Sequence, residues 1–220
     1  MNTSDITTAN DWRLWFTQPA EHWYDALPLA NGRMGAMVYG GVRAERIYLS
    51  ETTFWSGEPS LDNNNPHGPA IFEKVREHLL ARDIAAANKL AHELEGRKLN
   101  YGTNLPFGNL RLLFDHEQFG ARAYRRELDM DTAIVRIQYR FGETDYQREI
   151  FVSAPHQVMV IRLTCSRPAA LSFRIILDGD EQPFDVHSEG ADSLLMDNQA
   201  REFQHSNGKV GVELMISTWG

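Results

Sequence analysis

From Ala133 to Phe141, and again from Leu171 to Leu177, the chain alternates as a half-buried β-strand must, and that pattern points to a sheet-based fold. Ala133, Val135, Ile137, Tyr139 and Phe141 fall on one face, while Arg136, Gln138 and Arg140 fall on the other. Gly142-Glu143 then turns the chain into a strand from Tyr146 to Val152, and Ala154-Pro155 turns that into Val158 to Thr164. This third run is apolar on both faces, which predicts a central strand of a sandwich. Leu171, Phe173, Ile175 and Leu177 again mark one buried face. Successive strands joined by short turns predict an antiparallel meander and a mainly β fold, an antiparallel β-sandwich.

The sheet pattern is interrupted once. Pro69 to Leu80 carries apolar residues at helical spacing, and a proline at its start suits a first helical turn. Asp83 is placed to cap a second helix through Ala85 to Leu94, with Gly96 as its stop. A short two-helix insertion over about residues 66–96 is expected. The remaining organisation is a polar tail over residues 1–10 and a sandwich domain over 11–220. A last strand, Val210 to Ser217, runs almost to Gly220 with no closing element, which predicts that the domain is cut short there.

The stretch from Leu27 to Pro59 is the part that points to a function. Arg33 to Tyr39 reads as a small, apolar strand entered through the Asn31-Gly32 turn signal and left through Gly40-Gly41. Arg46 to Leu49 follows after a short polar link, so the two are expected to pair as a hairpin. Ser50 to Thr53 is polar, and Gly57 and Pro59 break regular structure, so Phe54 and Trp55 lie on or beside a loop. Rings in that position either plug the end of a sandwich or present a flat apolar face to a ligand.

These pieces stand in an order that resembles a known family. Leu14-Trp15-Phe16-Thr17-Gln18-Pro19-Ala20 and Trp23 lead into Ala26 to Val38, Gly40-Gly41-Val42, Leu49 to Gly57 and Asn64-Asn65-Pro66. Tyr124 to Ala133 and Tyr146 to Ser153 before Pro155 complete the set. The chain is similar to the N-terminal domain of glycoside hydrolase family 95, the α-L-fucosidase family, and more loosely to N-terminal domains of the family 65 type. That resemblance implies a super-sandwich of the galactose-mutarotase-like kind, followed in family members by the rest of the sandwich, a linker and a large helical (α/α) barrel. It also implies an inverting mechanism, in which a general acid and a water-activating base stand about 6.5–9.5 Å apart. In the family those two groups belong to the barrel, so no catalytic residue is assigned to this chain, and the barrel and a glycan are its implied partners.

Composition narrows the remaining classes. At 220 residues with 42% apolar and 24% charged side chains, one sizeable core can be buried. A net charge of −8 argues against nucleic acid, and the densest basic spot, Arg122 to Arg126, is followed at once by Glu127, Asp129 and Asp131, which predicts a solvated strand face. No apolar run is long enough for a membrane span, and Met1 to Asn10 lacks a signal-peptide pattern, so a cytoplasmic location is expected, with secretion left open. Cys165, the single cysteine, leaves no internal disulfide or cysteine-based zinc site and reads as a buried, inert thiol. The eight histidines lack metal-binding spacing, with His78 and His92 read as helix-surface residues, so no metal or cofactor is expected. The pairs Asp129/Asp131 and Asp178/Asp180 read as solvated faces or turn caps, and Ser56 and Ser153 stand in no nucleophile elbow.

The expectation is therefore a non-catalytic N-terminal domain of an α-L-fucosidase-like glycoside hydrolase acting on fucosylated or L-galactosylated glycans. Two alternatives are a free-standing carbohydrate-binding module, with Trp55 stacking on a sugar, and a purely structural domain docked on a helical barrel. Asn31, Arg33, Glu51 and Trp55 are the candidate residues for a substrate-facing or domain-facing surface. Against that stands a plainer reading: Asn31-Gly32 as a turn, Glu51 as a local cap and Trp55 as a core plug. Ala30 stands where family members commonly have glycine, and Ser50 and Thr52 where they commonly have asparagine and aspartate, so the resemblance implies altered polar contacts at those positions.

Overall fold

The computed structural model describes residues 12–116 and 120–219, and the expected tail over 1–10 lies outside them. The described chain forms two compact units. The first comprises residues up to Phe54, Pro106–Asn198 and the end of the chain from Leu214; the second comprises Trp55–Leu105 and Gln199–Glu213.

The first unit is built on two five-stranded antiparallel sheets. In chain order its strands are β1 (Arg13–Phe16), β2 (Leu27–Ala30), β3 (Met34–Val38), β4 (Ala44–Glu51), β5 (Gly108–Phe114), β6 (Ala121–Asp129), β7 (Ile134–Phe141), β8 (Thr144–Ser153), β9 (Val158–Cys165) and β10 (Phe173–Asp178). One sheet runs β1-β6-β7-β8-β9 and the other β10-β5-β4-β3-β2. A third sheet joins β11 (Phe184–Glu189), β12 (Ser193–Gln199) and β13 (Glu213–Trp219). The β3-β4 hairpin is present as expected, with Ala36 opposite Leu49. Strands β1 and β2 are additions that the sequence did not disclose, because each is only four residues long.

Period-two alternation decides which side chains go inside. Val135, Ile137 and Tyr139 on β7 and Tyr146 and Ile150 on β8 are buried between the sheets, facing Ile47 on β4 and Leu110, Leu112 and Phe114 on β5. Each such side chain taken fully from water stabilises the fold by about 1.5–3 kcal/mol before chain entropy is counted. The meander holds through β6, β7, β8 and β9 and ends there, since β10 pairs with β5 in the opposite sheet. Strand β9 is consequently an edge strand, not the central one its composition predicts. Its apolar residues have two different covers. Val158, Met159, Ile161 and Leu163 line a cavity, whereas Val160 lies opposite Phe151 on the outer face.

Two more expectations need correction. Arg126 is not on a solvated face: it is 2% exposed and donates to the carbonyls of Gln18 and Asp25, because β6 turns it inward beside Leu128. Cys165 is only half-buried, with Sγ donating to the Arg167 carbonyl. The acidic pairs are turn caps. Asp129 accepts from the backbone N–H of Asp131 and Thr132, and Asp178 from that of Asp180.

In the second unit the helices are α1 (Gly68–Leu80) and α2 (Ile84–Ala91). The Asp83 carboxylate accepts from the Ala86 N–H at 3.0 Å, the expected cap. A 3-10 turn, His92–Leu94, closes the helical segment before Gly96. Gly96 is required for close approach, since a Cβ there would lie 1.7 Å from the Asn63 carbonyl oxygen.

Candidate functional site

Asn31, Arg33 and Glu51 come together at one end of the first unit. Gly32, with φ of +90°, makes the turn between β2 and β3, and the Asn31 side-chain oxygen accepts from the backbone N–H groups of Arg33 and Met34. That is the turn role the sequence allowed. Asn31 does more: its Nδ2 donates to the Ser153 carbonyl at 3.1 Å, tying the β2-β3 turn to the end of β8. Arg33 Nε donates to Glu51 Oε1 at 2.9 Å, and Glu51 Oε2 accepts from both the N–H and the hydroxyl of Thr53 at 2.6 Å.

Electrostatically this is one carboxylate held in its charged form. Burial acts to raise the Glu51 carboxyl, but hydrogen bonds from Thr53 and Arg33 outweigh it and leave the group below its ordinary value. Beside the cluster opens a cavity of about 420 Å³, bounded by β3, β4, β5, β9, β10 and β13. Apolar side chains such as Phe107, Met159, Phe173 and Met215 dominate its wall. Among the described residues lining it, Glu51 is the sole carboxylate. The Glu51 carboxylate is thus engaged on both oxygens, Oε1 by Arg33 and Oε2 by Thr53.

Phe54 and Trp55 part company. Phe54 is fully buried and meets Phe107 edge-on at 5.1 Å, so it is the plug. Trp55 opens the second unit and is 44% exposed, which rules out a core role for it. Its backbone is fixed by a bridge to Asn104 and by its carbonyl accepting from the Val212 N–H at 2.9 Å. Gly211 must be glycine for that arrangement, since a Cβ would lie 1.8 Å from the Trp55 oxygen. Nearby in the same unit, Ser56 Oγ donates to Glu202 at 2.9 Å and accepts from the Thr103 N–H at 3.0 Å. Ser56 is thus a loop tether.

The sequence did not single out the buried charge pair of the first unit. Glu45 on β4 and Arg148 on β8 meet at 2.7 Å with side chains 0% and 2% exposed. Arg148 also donates to the carbonyls of Gly41 and Val42 and to the Tyr139 hydroxyl, and its guanidinium lies 4.1 Å from the centre of the Phe114 ring. Burial pushes the Glu45 carboxyl above its ordinary value, and Arg148 with the Gly40 and Arg46 N–H groups pulls it back only in part. The signal was present, because Arg148 shares the buried face of Tyr146 and Ile150.

The family described as glycosyl hydrolase family 65, N-terminal domain, matches residues 14–218, nearly the whole chain and both of its units. This chain belongs to that family. Alpha-L-fucosidase 2 of Arabidopsis thaliana is 35% identical to this family 65 N-terminal domain over 191 residues, 86% of the chain and 22% of the relative. Two proteins named probable alpha-fucosidase A are also similar. The Aspergillus niger protein is 32% identical over 63% of the chain and 18% of its own length, and that of Aspergillus oryzae 28% over 74% and 23%. The family 65 N-terminal domain thus spans about a fifth of the length of the curated relatives it matches.

Proposed function

We propose that this is the non-catalytic N-terminal β-sandwich domain of an α-L-fucosidase-like glycoside hydrolase of family 95, acting on fucosylated or L-galactosylated glycans. The observation that carries the reading is the family match over residues 14–218 joined to relatives named as α-fucosidases, of which the matched segment covers 18–23%. The chemistry of the cavity supports it, since Glu51 is the sole carboxylate among the described lining residues and is already paired. A partner domain is supported by the apolar surface of the second unit, where Phe72 and Leu80 on α1 and Ile84 on α2 are 54%, 77% and 53% exposed. In this reading a helical (α/α) barrel carries the acid and the base, and Asn31, Arg33, Glu51 and Trp55 belong to surfaces that face it or its substrate.

The test is association. The domain mixed with a separately expressed barrel segment of the parent enzyme should form a stable complex by sedimentation. Complete indifference between the two would overturn the docking role.

A further inference from the structure

We propose that the outer face of the β1-β6-β7-β8-β9 sheet binds a neutral glycan, along a stripe running from Trp15 through Arg125, Gln138 and Gln147 to Thr164. Antiparallel register builds the stripe. Arg125 lies opposite Gln138, Gln138 opposite Gln147, and Gln147 opposite Thr164, so one polar row crosses four strands, a span of about 14 Å at the usual strand spacing. At its β1 end Trp15 is 54% exposed, with the Arg125 guanidinium over one face of its ring, 4.8 Å from the centre, and Arg125 opposite Gln138 in the register. At the other end the row opens into a groove of about 450 Å³ lined by Gln138, Arg140, Asp145, Gln147, Thr164 and Ser166. The groove's wall includes Ala123, where a β-bulge between Arg122 and Arg125 holds a non-glycine residue at φ of +51°.

The chemistry of the stripe selects the ligand. Its charges are already closed: Arg125 donates to Glu127 at 2.8 Å, and Arg140 forms two bonds to Asp145 at 2.7 and 2.9 Å. An ionic ligand would have to break one of these pairs. A hydroxyl-rich neutral ligand would not. Gln138 Nε2 donates to Gln147 Oε1 at 3.0 Å, which leaves the Gln138 oxygen as an acceptor beside the second Gln147 valence, an NH₂ donor. A sugar hydroxyl both donates and accepts, so it completes both amides at once. Trp15 supplies the flat, electron-rich face on which the C–H side of a pyranose ring stacks.

The inference rests on the proposed role in a glycan-processing enzyme, and its test is separable from that role. The 220-residue chain is titrated with lactose, fucosyllactose, cello-oligosaccharides and, as a charged comparator, oligogalacturonate. Nuclear magnetic resonance follows the side-chain amides of Gln138 and Gln147 and the Trp15 indole N–H. Saturable shifts confined to these groups are expected with at least one neutral sugar and with no oligogalacturonate. Trp15→Ala should weaken binding about five- to tenfold, and Gln138→Ala with Gln147→Ala should abolish it while the melting temperature stays put. No shift with any neutral sugar, shifts that survive both variants, or a preference for oligogalacturonate would overturn the proposal. Release of fucose by the full-length parent enzyme reports on the other reading: activity without binding here removes only the stripe, and binding without activity removes only the fucosidase role.

Discussion

Replacing Arg148 with methionine removes a cation buried between the two sheets and paired with Glu45, while keeping most of its volume and its apolar stem. The substitution strips the Gly41 and Val42 carbonyls and the Tyr139 hydroxyl of a donor and leaves the Glu45 carboxylate buried without its partner. Removing one member of a buried ion pair costs about 3–5 kcal/mol. For a chain of this size that is a fall in melting temperature of roughly 6–20 °C. Near-ultraviolet circular dichroism during heating and in urea reads the loss. The pH dependence is the sharper signature. Burial already holds the Glu45 carboxyl above its ordinary value, and without Arg148 it rises further. A carboxyl whose folded value exceeds its unfolded one makes the fold more stable as pH falls toward the unfolded value, because the folded state binds the proton more tightly. The deficit of Arg148→Met should therefore shrink between about pH 8 and about pH 5. A deficit under about 1 kcal/mol, no larger than one ordinary hydrogen bond, or one that does not change with pH, would refute this account of the core.

Three further outcomes follow from the same geometry. His116, stacked on Phe114 and Phe141 and tilted against Tyr146, with Nε2 2.9 Å from the Tyr139 hydroxyl, is held below its ordinary value by burial and then by Arg148. Its contribution is present above the unfolded histidine value and lost as pH falls through the folded one, so His116→Gln should flatten the stability profile between about pH 7.5 and about pH 5; an unchanged slope would assign that acid sensitivity to other groups. Gly102→Ala places a Cβ 1.8 Å from the Ser56 oxygen at a φ of +67°, so cleavage within residues 55–105 under limited proteolysis should accelerate about fivefold or more, given a strain of about 1–3 kcal/mol; unchanged protection would contradict the loop packing. Trp55→Ala in the full-length parent enzyme should lower kcat/KM more than it lowers stability, and an unchanged kcat/KM beside a large fall in melting temperature would make Trp55 a purely structural residue.

The parts of the fold legible in the sequence were those where one physical signal dominated. The β7 alternation placed Val135, Ile137 and Tyr139 inside, and Asp83 capped α2 because few other residue types satisfy an orphan N–H there. Strand β9 misled because apolar composition on both faces does not distinguish a central strand from an edge strand that lines a cavity with one face and meets Phe151 with the other. Arg126 misled for another reason, and Arg148 went unnoticed for the same one: the groups that accept their hydrogen bonds lie about a hundred residues away, at the carbonyls of Gln18, Asp25 and Gly41 and the carboxylate of Glu45. Of the candidate site, the Asn31 turn and the Glu51 cap were readable from local chemistry. The bonds from Asn31 to Ser153 and from Arg33 to Glu51 depend on strand pairing and were not.

The most direct measurement compares hydrolysis of an aryl α-L-fucoside by the full-length parent enzyme and by the 220-residue domain under identical conditions. The account predicts turnover by the whole enzyme and none by the domain. Fucose released by the domain alone would contradict it.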